Sequence, residues 1–368
     1  MTDHKEVIIA GGGPAGLAAA IALRARNLKV TVVDASEPPI EKVCGEGLLP
    51  ETLESLRAIG VEPETFRGVP FRGVRYVANK NQAEAQFSNG HALGIRRAEL
   101  HRSLLGAATN AGAEFLWNTR VDGLELDGIR VAGKLMPARW IIGADGHTSR
   151  IRHWAGLDDH VSSRQRFAFR QHFRVKPWTD FLEVHWSARG QAYVTVVGEQ
   201  EICIIAMSRD SRLRIRESLD EFPALARRLK GCVAIDRERG AVSRNRVLRR
   251  VTRGHVALIG DASGTVDAIT GEGLGLAFRQ VRALATAIES GDLGMYEAAH
   301  RKLRRKPQLM AEILLTMDRS LILQERAIGA LAAQPGIFER LLSVHAGNIS
   351  VLQIVGTGLQ LGWGLLTA

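Results

Sequence analysis

The chain of 368 residues is 45% hydrophobic and 24% charged, a balance typical of folded globular proteins that excludes an intrinsically disordered chain. Its three cysteines, Cys44, Cys203 and Cys232, show no paired spacing. We therefore expect neither a disulfide framework nor a zinc site, and we expect a reducing, cytoplasmic location. The net charge of +10 comes without a nucleic-acid recognition motif, so no nucleic-acid partner is expected.

Hydrophobic periodicity predicts the secondary structure in chain order. Residues 6–34 form a strand, a glycine turn, a helix and a second strand. Further elements are helices over 51–60 and 97–112, two short strands between 131 and 143, a buried strand over 256–259, a helix over 273–290 and helices from there to the end. An alternation with period two predicts antiparallel strands over 167–173, 182–186, 193–197 and 202–206, the last two forming a hairpin.

A glycine-rich turn connects the first strand to the first helix. Its three glycines have the G-x-G-x-x-G spacing of dinucleotide-binding units, and an aspartate ends the second strand about 20 residues further on. The glycines allow the tight turn, the approach of a pyrophosphate and close packing of helix and strand, while the aspartate accepts hydrogen bonds from a ribose. The predicted contacts are Gly11, Gly13, Pro14, Ala15, Gly16 and Asp34. This unit alone does not distinguish FAD from NAD.

Three further motifs follow along the chain. Residues 143–152 match G-A-D-G-x-x-S-x-x-R, residues 260–264 read G-D-A-S-G, and residues 271–275 read G-E-G-L-G. At these residues, and over roughly residues 5–290, the chain resembles the flavoprotein superfamily that includes p-hydroxybenzoate hydroxylase, flavin halogenases and the geranylgeranyl reductases. The resemblance implies an α/β fold with a Rossmann-type FAD-binding domain, an inserted antiparallel β-sheet substrate domain and a helical C-terminus.

The domain boundaries follow from this resemblance and from the order of the elements. The FAD-binding domain is expected to be discontinuous and to comprise residues 1–75, 93–160 and 246–295. The substrate-binding sheet domain would comprise 76–92 and 161–245, and a C-terminal helical region would comprise 296–368.

Some features are similar to the geranylgeranyl reductase branch in particular. The segment K-V-C-G-E-G at residues 42–47 resembles the Cys-Gly element of that branch, and T-G-E-G-L at 270–274 resembles its T-G-E-G-I element. Gly264 stands where many aromatic hydroxylases have His. Ala268 departs from the family, which has Pro beside the flavin ring, so we expect this loop to be less rigid. The W-x-W-x-I-P segment of the halogenases is not found in the sequence.

The resemblance also implies individual cofactor contacts. Asp261 would bond a ribityl hydroxyl, and the helix start at 271–274 would face the pyrophosphate and the pyrimidine edge of the flavin. Arg97 lies beside the flavin phosphates, or it pairs with Glu99 or solvent. Cys44 is either a catalytic redox or proton-donating group close to the flavin or a small buried filler. The implied contacts are Cys44, Gly45, Arg97, Asp145, Gly260, Asp261, Gly271, Glu272, Gly273 and Leu274.

The implied chemistry has two halves. NADH or NADPH would reduce the flavin and bind only transiently, because the sequence has no second dinucleotide fingerprint. The reduced flavin would then reduce a hydrophobic, isoprenoid or polyketide-like substrate. An aromatic monooxygenase, and a flavin-bound interaction protein without turnover, are the alternatives. Candidates for proton transfer, each of them alternatively structural, are His91, His101, His147, His172, His185 and His345.

Two regions have an unusual charge. Residues 212–253 contain 13 Arg or Lys and 5 Asp or Glu. This stretch is either a solvated helix followed by a loop or a surface that attracts an anion, such as a pyridine nucleotide or an acidic membrane. Residues 341–368 carry no charged side chain, but their glycines and glutamines argue against a membrane span. We expect this tail to cover a substrate channel or to contact a membrane peripherally. No feature indicates an oligomeric state.

Overall fold

The computed structural model describes residues 5–159 and 165–345. The strands are β1 (Lys5–Ala10), β2 (Val30–Val33), β3 (Gly47–Leu48), β4 (Val69–Phe71), β5 (Gly73–Ala78), β6 (Asn81–Gln86), β7 (Ala92–Gly94), β8 (Glu114–Leu116), β9 (Val121–Glu125), β10 (Gly128–Val131), β11 (Lys134–Gly143), β12 (Gln165–Arg174), β13 (Phe181–Trp186), β14 (Gly190–Gly198), β15 (Glu201–Ser208), β16 (Val233–Ala234), β17 (Arg239–Arg244), β18 (Thr252–Arg253) and β19 (Val256–Leu258).

The α-helices are α1 (Pro14–Arg24), α2 (Pro50–Arg57), α3 (Arg97–Asn110), α4 (Arg150–Trp154), α5 (Ile215–Ser218), α6 (Pro223–Leu229), α7 (Gly273–Ser290), α8 (Leu293–Met317), α9 (Leu321–Ala333) and α10 (Pro335–His345). The helix predicted over 273–290 has the predicted bounds, and the helix predicted over 51–60 ends earlier, at Arg57.

A largely parallel sheet with the order β18-β19-β11-β1-β2-β8 forms the centre of the first unit. β1 pairs in parallel with both β2 and β11, and Val7, Ile8 and Ile9 are fully buried within it. β1 and β2 consist largely of apolar residues, as is typical of strands that are covered on both faces, and this explains their central position in the sheet. α1 packs against α3 and α7. This arrangement confirms the predicted Rossmann-type α/β fold.

The second sheet has the order β16-β12-β15-β14-β13-β5-β6, with β17 also paired to β12. Its pairs are antiparallel except β5 with β13, which is parallel. Because side chains alternate between the faces of a sheet, Phe169 and Ile204 pack with Phe222 on one face, which we call the outer face. Cys203 and Met207 lie on the other, inner face, which the C-terminal helices cover. The predicted antiparallel module is confirmed.

The three C-terminal helices bury the inner face of this second sheet. Leu314 of α8, Ile328 of α9 and Phe338 of α10 pack in one apolar cluster with Trp186 of β13. Among the helices of the described residues, none is long and apolar enough to cross a bilayer. The uncharged tail predicted over 341–368 lies outside the described residues from 346 onward.

Two stretches differ from their predicted structure. The two strands expected between 131 and 143 are the end of β10 and the ten-residue strand β11. Residues 212–253 are not a helix followed by a loop: α5 and α6 are short, and β17 then pairs with β12. This pairing joins residues about 75 positions apart, so local composition does not reveal it. The expected domain boundary after residue 75 falls within β5.

Candidate cofactor and substrate site

The turn between β1 and α1 has a shape that depends on its glycines. Gly11 has a φ of 113°. A Cβ at Gly11 would overlap the backbone of Ala144, and a Cβ at Gly16 would overlap the carbonyl of Gly11. By contrast, a Cβ at Gly13 would meet no atom within 4 Å. The outer glycines therefore hold strand and helix together, while Gly13 borders open space at the N-terminus of α1, where a pyrophosphate would bind. The helix itself opens with Pro14 and Ala15.

Asp34 lies beside this turn, directly after β2. Its carboxylate accepts hydrogen bonds from the amides of Gly12 and Ser36, each at 2.7 Å. On the other side of the turn, the buried His101 of α3 donates from Nε2 to the Gly12 carbonyl at 2.9 Å. Burial lowers the pKa of His101, so the neutral imidazole supports the turn. The sequence suggested His101 only as a candidate for proton transfer.

The carboxylate of Asp145 caps α4. It accepts hydrogen bonds from Ser149 Oγ at 2.5 Å and from the amides of Arg150 and Ile151 at 2.7 and 3.1 Å. These bonds shape the loop whose backbone lies against Gly11. The side chain of Asp145 thus serves the protein itself, and a direct contact between Asp145 and a cofactor stays a prediction.

The G-D-A-S-G motif forms a 3-10 turn over Gly260–Ser263. Arg152 ties this turn to the preceding motif by donating to the carbonyl of Ala262 at 3.1 Å. Asp261 forms an ion pair with Lys42 across the open side of the turn, with 2.6 Å between Oδ2 and Nζ. Burial raises the pKa of Asp261, but the Lys42 ammonium lowers it, and the net result is a pKa below the ordinary value. The turn therefore presents an ionised carboxylate.

The loop that precedes α7 is tied to the rest of the protein by polar contacts. Residues 268–270 form a 3-10 turn, and Gly271 leaves it with a φ of 67°. Asp267 accepts a hydrogen bond from the Ile269 amide at 3.1 Å, and Arg166 pairs with Asp267 at 3.0 Å. These buried contacts anchor the loop at Asp267, and the lower rigidity expected at Ala268 stays a prediction.

The start of α7 borders open space. Glu272 is the N-cap residue, Gly273 is the first helical residue, and Leu274 is half-buried in the first turn. A Cβ at Gly271 or at Gly273 would meet no atom within 4 Å. The N-terminus of this 18-residue helix therefore favours negative charge in the neighbouring space.

Cys44 and Gly45 lie in the segment that leads into β3. The half-buried Cys44 accepts a hydrogen bond at Sγ from the Glu46 amide, at 3.5 Å. Thr195 of β14 donates to the Gly45 carbonyl at 2.7 Å, and a Cβ at Gly45 would meet no atom within 4 Å. The segment is thus bound to the inner face of the second sheet, while its glycine borders open space.

Arg97 begins α3, next to that segment, and its amide donates to Glu46 Oε1 at 2.8 Å. Its side chain is buried, and within the described part of the chain its Nε has no hydrogen-bond partner. Glu99, the alternative partner considered from the sequence, pairs with Arg102 at 2.8 Å. Burial of an unsatisfied guanidinium nitrogen is costly, and an anionic ligand beside Arg97 would remove that cost.

These features fit FAD. No protein atom lies within 4 Å of a Cβ added at Gly13, Gly45, Gly271 or Gly273, and Gly13 and Gly273 stand at the N-termini of α1 and α7. The unsatisfied guanidinium of Arg97 adds the positive charge that a pyrophosphate needs. The Lys42–Asp261 ion pair and the Arg97–Glu46 hydrogen bond join predicted segments that are distant in the chain, and the contacts of individual residues to FAD stay predictions.

Comparison with known proteins agrees with this geometry. The sequence model of the family described as "FAD binding domain" matches residues 4–291. The chain belongs to this FAD-binding family. The protein is accordingly an FAD-dependent oxidoreductase, and a flavin-bound protein without turnover is not favoured.

The relatives of this FAD-binding protein include reductases and monooxygenases. It is 25% identical over 336 residues to a menaquinone reductase of Mycolicibacterium smegmatis, covering 81% of this chain and 80% of the relative. It is 27% identical over 333 residues to a digeranylgeranylglycerophospholipid reductase of Thermoplasma volcanium, covering 80% and 83%. A rifampicin monooxygenase of Rhodococcus hoagii is 31% identical over only 157 residues, 40% of this chain and 33% of the relative.

A solved flavoprotein/dehydrogenase from Cytophaga hutchinsonii has the same fold, with a TM-score of 0.81 and 20% identity, covering 97% of this chain and 99% of the other. The reductase relatives and the family model confirm the resemblance to the superfamily and to its geranylgeranyl reductase branch.

Several site residues were not identified from the sequence. Lys42 belongs to a motif that was noticed, but its ion pair with Asp261 joins segments that are distant in the chain. Tyr193 and Thr195 were assigned only to a strand. Their hydroxyls donate to the carbonyls of Ile269 at 2.9 Å and of Gly45 at 2.7 Å. Both residues stand at alternate positions of a largely apolar strand, so their side chains lie on the same face of the sheet. This alternation was the sequence signal that could have identified them.

Proposed function

We propose that the protein uses FAD, reduced by NADH or NADPH, to saturate a carbon–carbon double bond in a long apolar, isoprenoid-like substrate. The observation that carries this proposal is the apolar inner face of the second sheet at β14, beside the part near β5 and β6 that the C-terminal helices cover. This face borders both of the loops that are predicted to hold the flavin.

Contacts between the sheet and the two loops support this placement. Tyr193 and Thr195 of β14 bond to the loop at Ile269 and to the segment at Gly45. The side chains of Val43, Val266 and Ile269 pack in the same apolar cluster as the sheet. The sheet contributes Val184, Trp186, Tyr193, Val197, Ile205 and Met207 to that cluster.

Aromatic side chains extend this surface toward the C-terminal helices. Phe338 of α10 lies against Tyr76 of β5, with 4.7 Å between ring centroids, and Tyr76 meets Trp186 edge-on at 5.7 Å. Burial raises the pKa of Tyr76 to about 12, so its phenol stays neutral. Binding sites for apolar molecules are lined in this way, with few polar groups that fix orientation.

The residues of this chain would bind and orient the reactants. Bound FAD would supply the hydride chemistry. The turn at Gly13 and the start of α1 would hold the pyrophosphate, and Asp261 would accept a hydrogen bond from the ribityl chain. The N-terminus of α7 would stabilise negative charge at the pyrimidine edge. The apolar inner face would exclude water from the reacting carbons.

The positive stretch at 212–253 supports attraction of an anionic reductant. Some of its charges are already paired, such as Arg214 with Glu238 at 2.8 Å and Arg239 with Glu41 at 2.9 Å. Arg227, Arg228 and Lys230 on and after α6 are exposed. Such a surface raises the local concentration of a pyridine nucleotide at low salt.

An aromatic monooxygenase is the second candidate. The partial similarity to the rifampicin monooxygenase favours it, but that match covers less than half of this chain, whereas both reductases match over about four fifths. Reduction of the flavin by a pyridine nucleotide would serve either reaction, so the two candidates differ in what the reduced flavin meets next.

One experiment separates the two candidates. The purified protein is incubated with NADPH and a geranylgeranyl lipid or a menaquinone, first without oxygen and then with ¹⁸O-labelled oxygen. We expect an anaerobic product that has gained hydrogen at a double bond, with one deuterium when NADPH is replaced by its deuterated form. A product that forms only with oxygen and contains ¹⁸O would select the monooxygenase. Protein freed of FAD is the control.

Access to a lipid substrate would require contact with a membrane surface, which we propose for the start of α9. Leu321 and Ile322 there are 50% and 68% exposed, and Arg319 and Arg326 nearby are exposed as well. Apolar side chains beside cations favour the surface of an anionic bilayer. Cosedimentation with anionic vesicles should fall in a Leu321→Glu, Ile322→Glu variant. Leu126→Glu, which changes a leucine that is 89% exposed on another surface, is the control.

A further inference from the structure

A buried chain of ionisable side chains leads from the Cys44–Gly47 segment to the protein surface. His172 of β12 lies between two carboxylates: its Nε2 is 2.7 Å from Glu46 Oε2, and its Nδ1 is 2.7 Å from Asp236 Oδ2. The side chains of Glu46 and His172 are each 1% exposed, whereas that of Asp236 is 25% exposed. We call Glu46, His172 and Asp236 the buried triad.

The geometry of the buried triad sets its number of protons. A neutral imidazole carries one ring proton and one lone pair, so it can donate to only one carboxylate. Both contacts of His172 have hydrogen-bond length, and each of them therefore needs a proton. Both hydrogen bonds can form at once only if the triad holds one proton more than a neutral histidine between two ionised carboxylates. That extra proton would lie on the line from Glu46 to Asp236.

The surrounding charges keep this arrangement in place. On β12, Arg170 contacts Glu46 Oε1 at 3.1 Å and Asp236 Oδ2 at 3.5 Å, and it also lies 3.6 Å from Glu41. Other groups that face the triad are Arg96 at 3.7 Å from Asp236, the Arg97 amide at 2.8 Å from Glu46, and the Cys203 thiol. Glu41 is in turn paired with Arg239, and Arg96 with Glu201.

The inner end of the triad belongs to the Cys44–Gly47 segment, which is predicted to contact the cofactor. Glu46 is two residues from Cys44, and its amide donates to Cys44 Sγ. Cys203, within 4.8 Å of the triad's facing atoms, points toward the Cys44 carbonyl, with 3.9 Å from Sγ to oxygen. Burial raises the pKa of the Cys203 thiol, so it keeps its proton. The outer end, Asp236, reaches solvent.

A metal ion is a competing use for Glu46, His172 and Cys203, whose ligand atoms lie within 4.8 Å of one another. Two observations disfavour it. The short contact between His172 and Glu46 already uses the facing atoms of both groups. The Arg170 guanidinium beside Glu46 places a positive charge where a cation would bind.

We propose that Glu46, His172 and Asp236 form a proton relay between solvent and the cofactor and substrate site at Cys44. The inference rests on the proposed function for the final acceptor of the proton. Saturation of a double bond adds a hydride, from the reduced flavin, to one carbon and a proton to its neighbour. The relay supplies that proton from Glu46, and Asp236 takes one up from water, so that atoms and charge balance in each turnover.

The number of protons on His172 can be measured without any enzymatic reaction. In the full-length protein labelled with ¹⁵N-histidine, both ring nitrogens of His172 should have the NMR shifts of protonated nitrogens near neutral pH, with or without FAD. Glu46→Gln should change the signal of Nε2. Detection of an unprotonated ring nitrogen in the wild-type protein overturns the relay. So does one equivalent of bound zinc that is lost in His172→Gln, because a metal would replace the shared protons.

Proton movement is tested without substrate. Anaerobic electrochemical reduction of bound FAD, in which an electrode and a viologen mediator supply two electrons and no proton, takes up one proton from solution, which a pH-indicator dye reports in weakly buffered solution. Uptake should be slowed roughly a hundredfold in His172→Gln and Asp236→Asn. The matched control is His185→Gln, which alters a buried histidine that contacts Glu183 at 3.1 Å on the outer face of the same sheet.

Equal uptake rates in these three variants would overturn the relay, whatever the substrate of the enzyme. If His172→Gln fails to fold, the NMR measurement on the wild-type protein and the partly exposed Asp236→Asn variant still decide the outcome. Failure of the proposed reductase activity would leave both of these measurements interpretable, since neither uses a substrate.

Discussion

Substitution of Gly13 by Val should abolish FAD binding while the protein still folds. Gly13 has φ of −71° and ψ of 177°, a conformation open to any residue, and an added Cβ meets no protein atom within 4 Å. Replacing glycine at the N-cap by valine costs roughly 1 kcal/mol. Lower entropy of the unfolded chain recovers about 0.4–1 kcal/mol of this cost. Stability without cofactor should therefore change by less than about 1 kcal/mol.

The effect on the bound state is larger. A ligand at 100 times its Kd stabilises the folded state by about 2.7 kcal/mol. In a protein of this size that corresponds to a rise in Tm on the order of 5 °C. Differential scanning fluorimetry with and without FAD should show this rise for the wild type and none for Gly13→Val. Flavin released by heating should be absent from the purified variant.

Gly16→Val is the contrasting control. Its Cβ would overlap the Gly11 carbonyl, so it should impair folding itself. Stoichiometric FAD in Gly13→Val would contradict the role assigned to Gly13, and so would unfolding of the FAD-free variant as early as that of Gly16→Val. Flavin that proves to be FMN would contradict the assignment of the whole glycine turn.

Asp261→Ala should weaken FAD binding by about 1.5–3 kcal/mol, because a hydrogen bond to a charged group contributes about that much. Fluorescence titration measures the Kd for FAD, and an unchanged Kd means that Asp261 does not contact the cofactor. If residues 212–253 attract the pyridine nucleotide, its KM should rise with salt concentration, because exposed charges are screened beyond about 8 Å at physiological salt. A KM that stays constant across a series of salt concentrations would contradict that role. Burial lowers the pKa of His300 to about 3, whereas an unfolded histidine has a pKa of about 6.5. Between these values the unfolded state binds more protons, so His300 costs on the order of 1.4 kcal/mol of stability for each unit that the pH falls. Urea denaturation of His300→Gln should show a flatter pH dependence between pH 4 and 7, and an unchanged slope would be inconsistent with a buried neutral imidazole.

Much of the candidate site could be predicted from local sequence. The glycine turn, Asp34, the G-D-A-S-G turn and the start of α7 were located because each requires particular residues within a few positions. The bounds of α7 were predicted because apolar residues recur with helical periodicity between Gly273 and Ser290. What these segments do together could not be predicted in the same way. Asp145 caps a helix, and His101 supports the first glycine turn.

The sequence by itself determined that the chain builds a dinucleotide-binding unit, since backbone conformation and close approach at Gly11, Gly13 and Gly16 depend on the residues at those positions. Only the tertiary structure decided which distant side chains meet. Glu46 contacts His172 from 126 positions away, and Lys42 contacts Asp261 from 219. The physical reason is that hydrogen bonds and ion pairs act over a few ångströms of space, and the alternation that predicted β12 as a strand could not show which loop would cover its inner face.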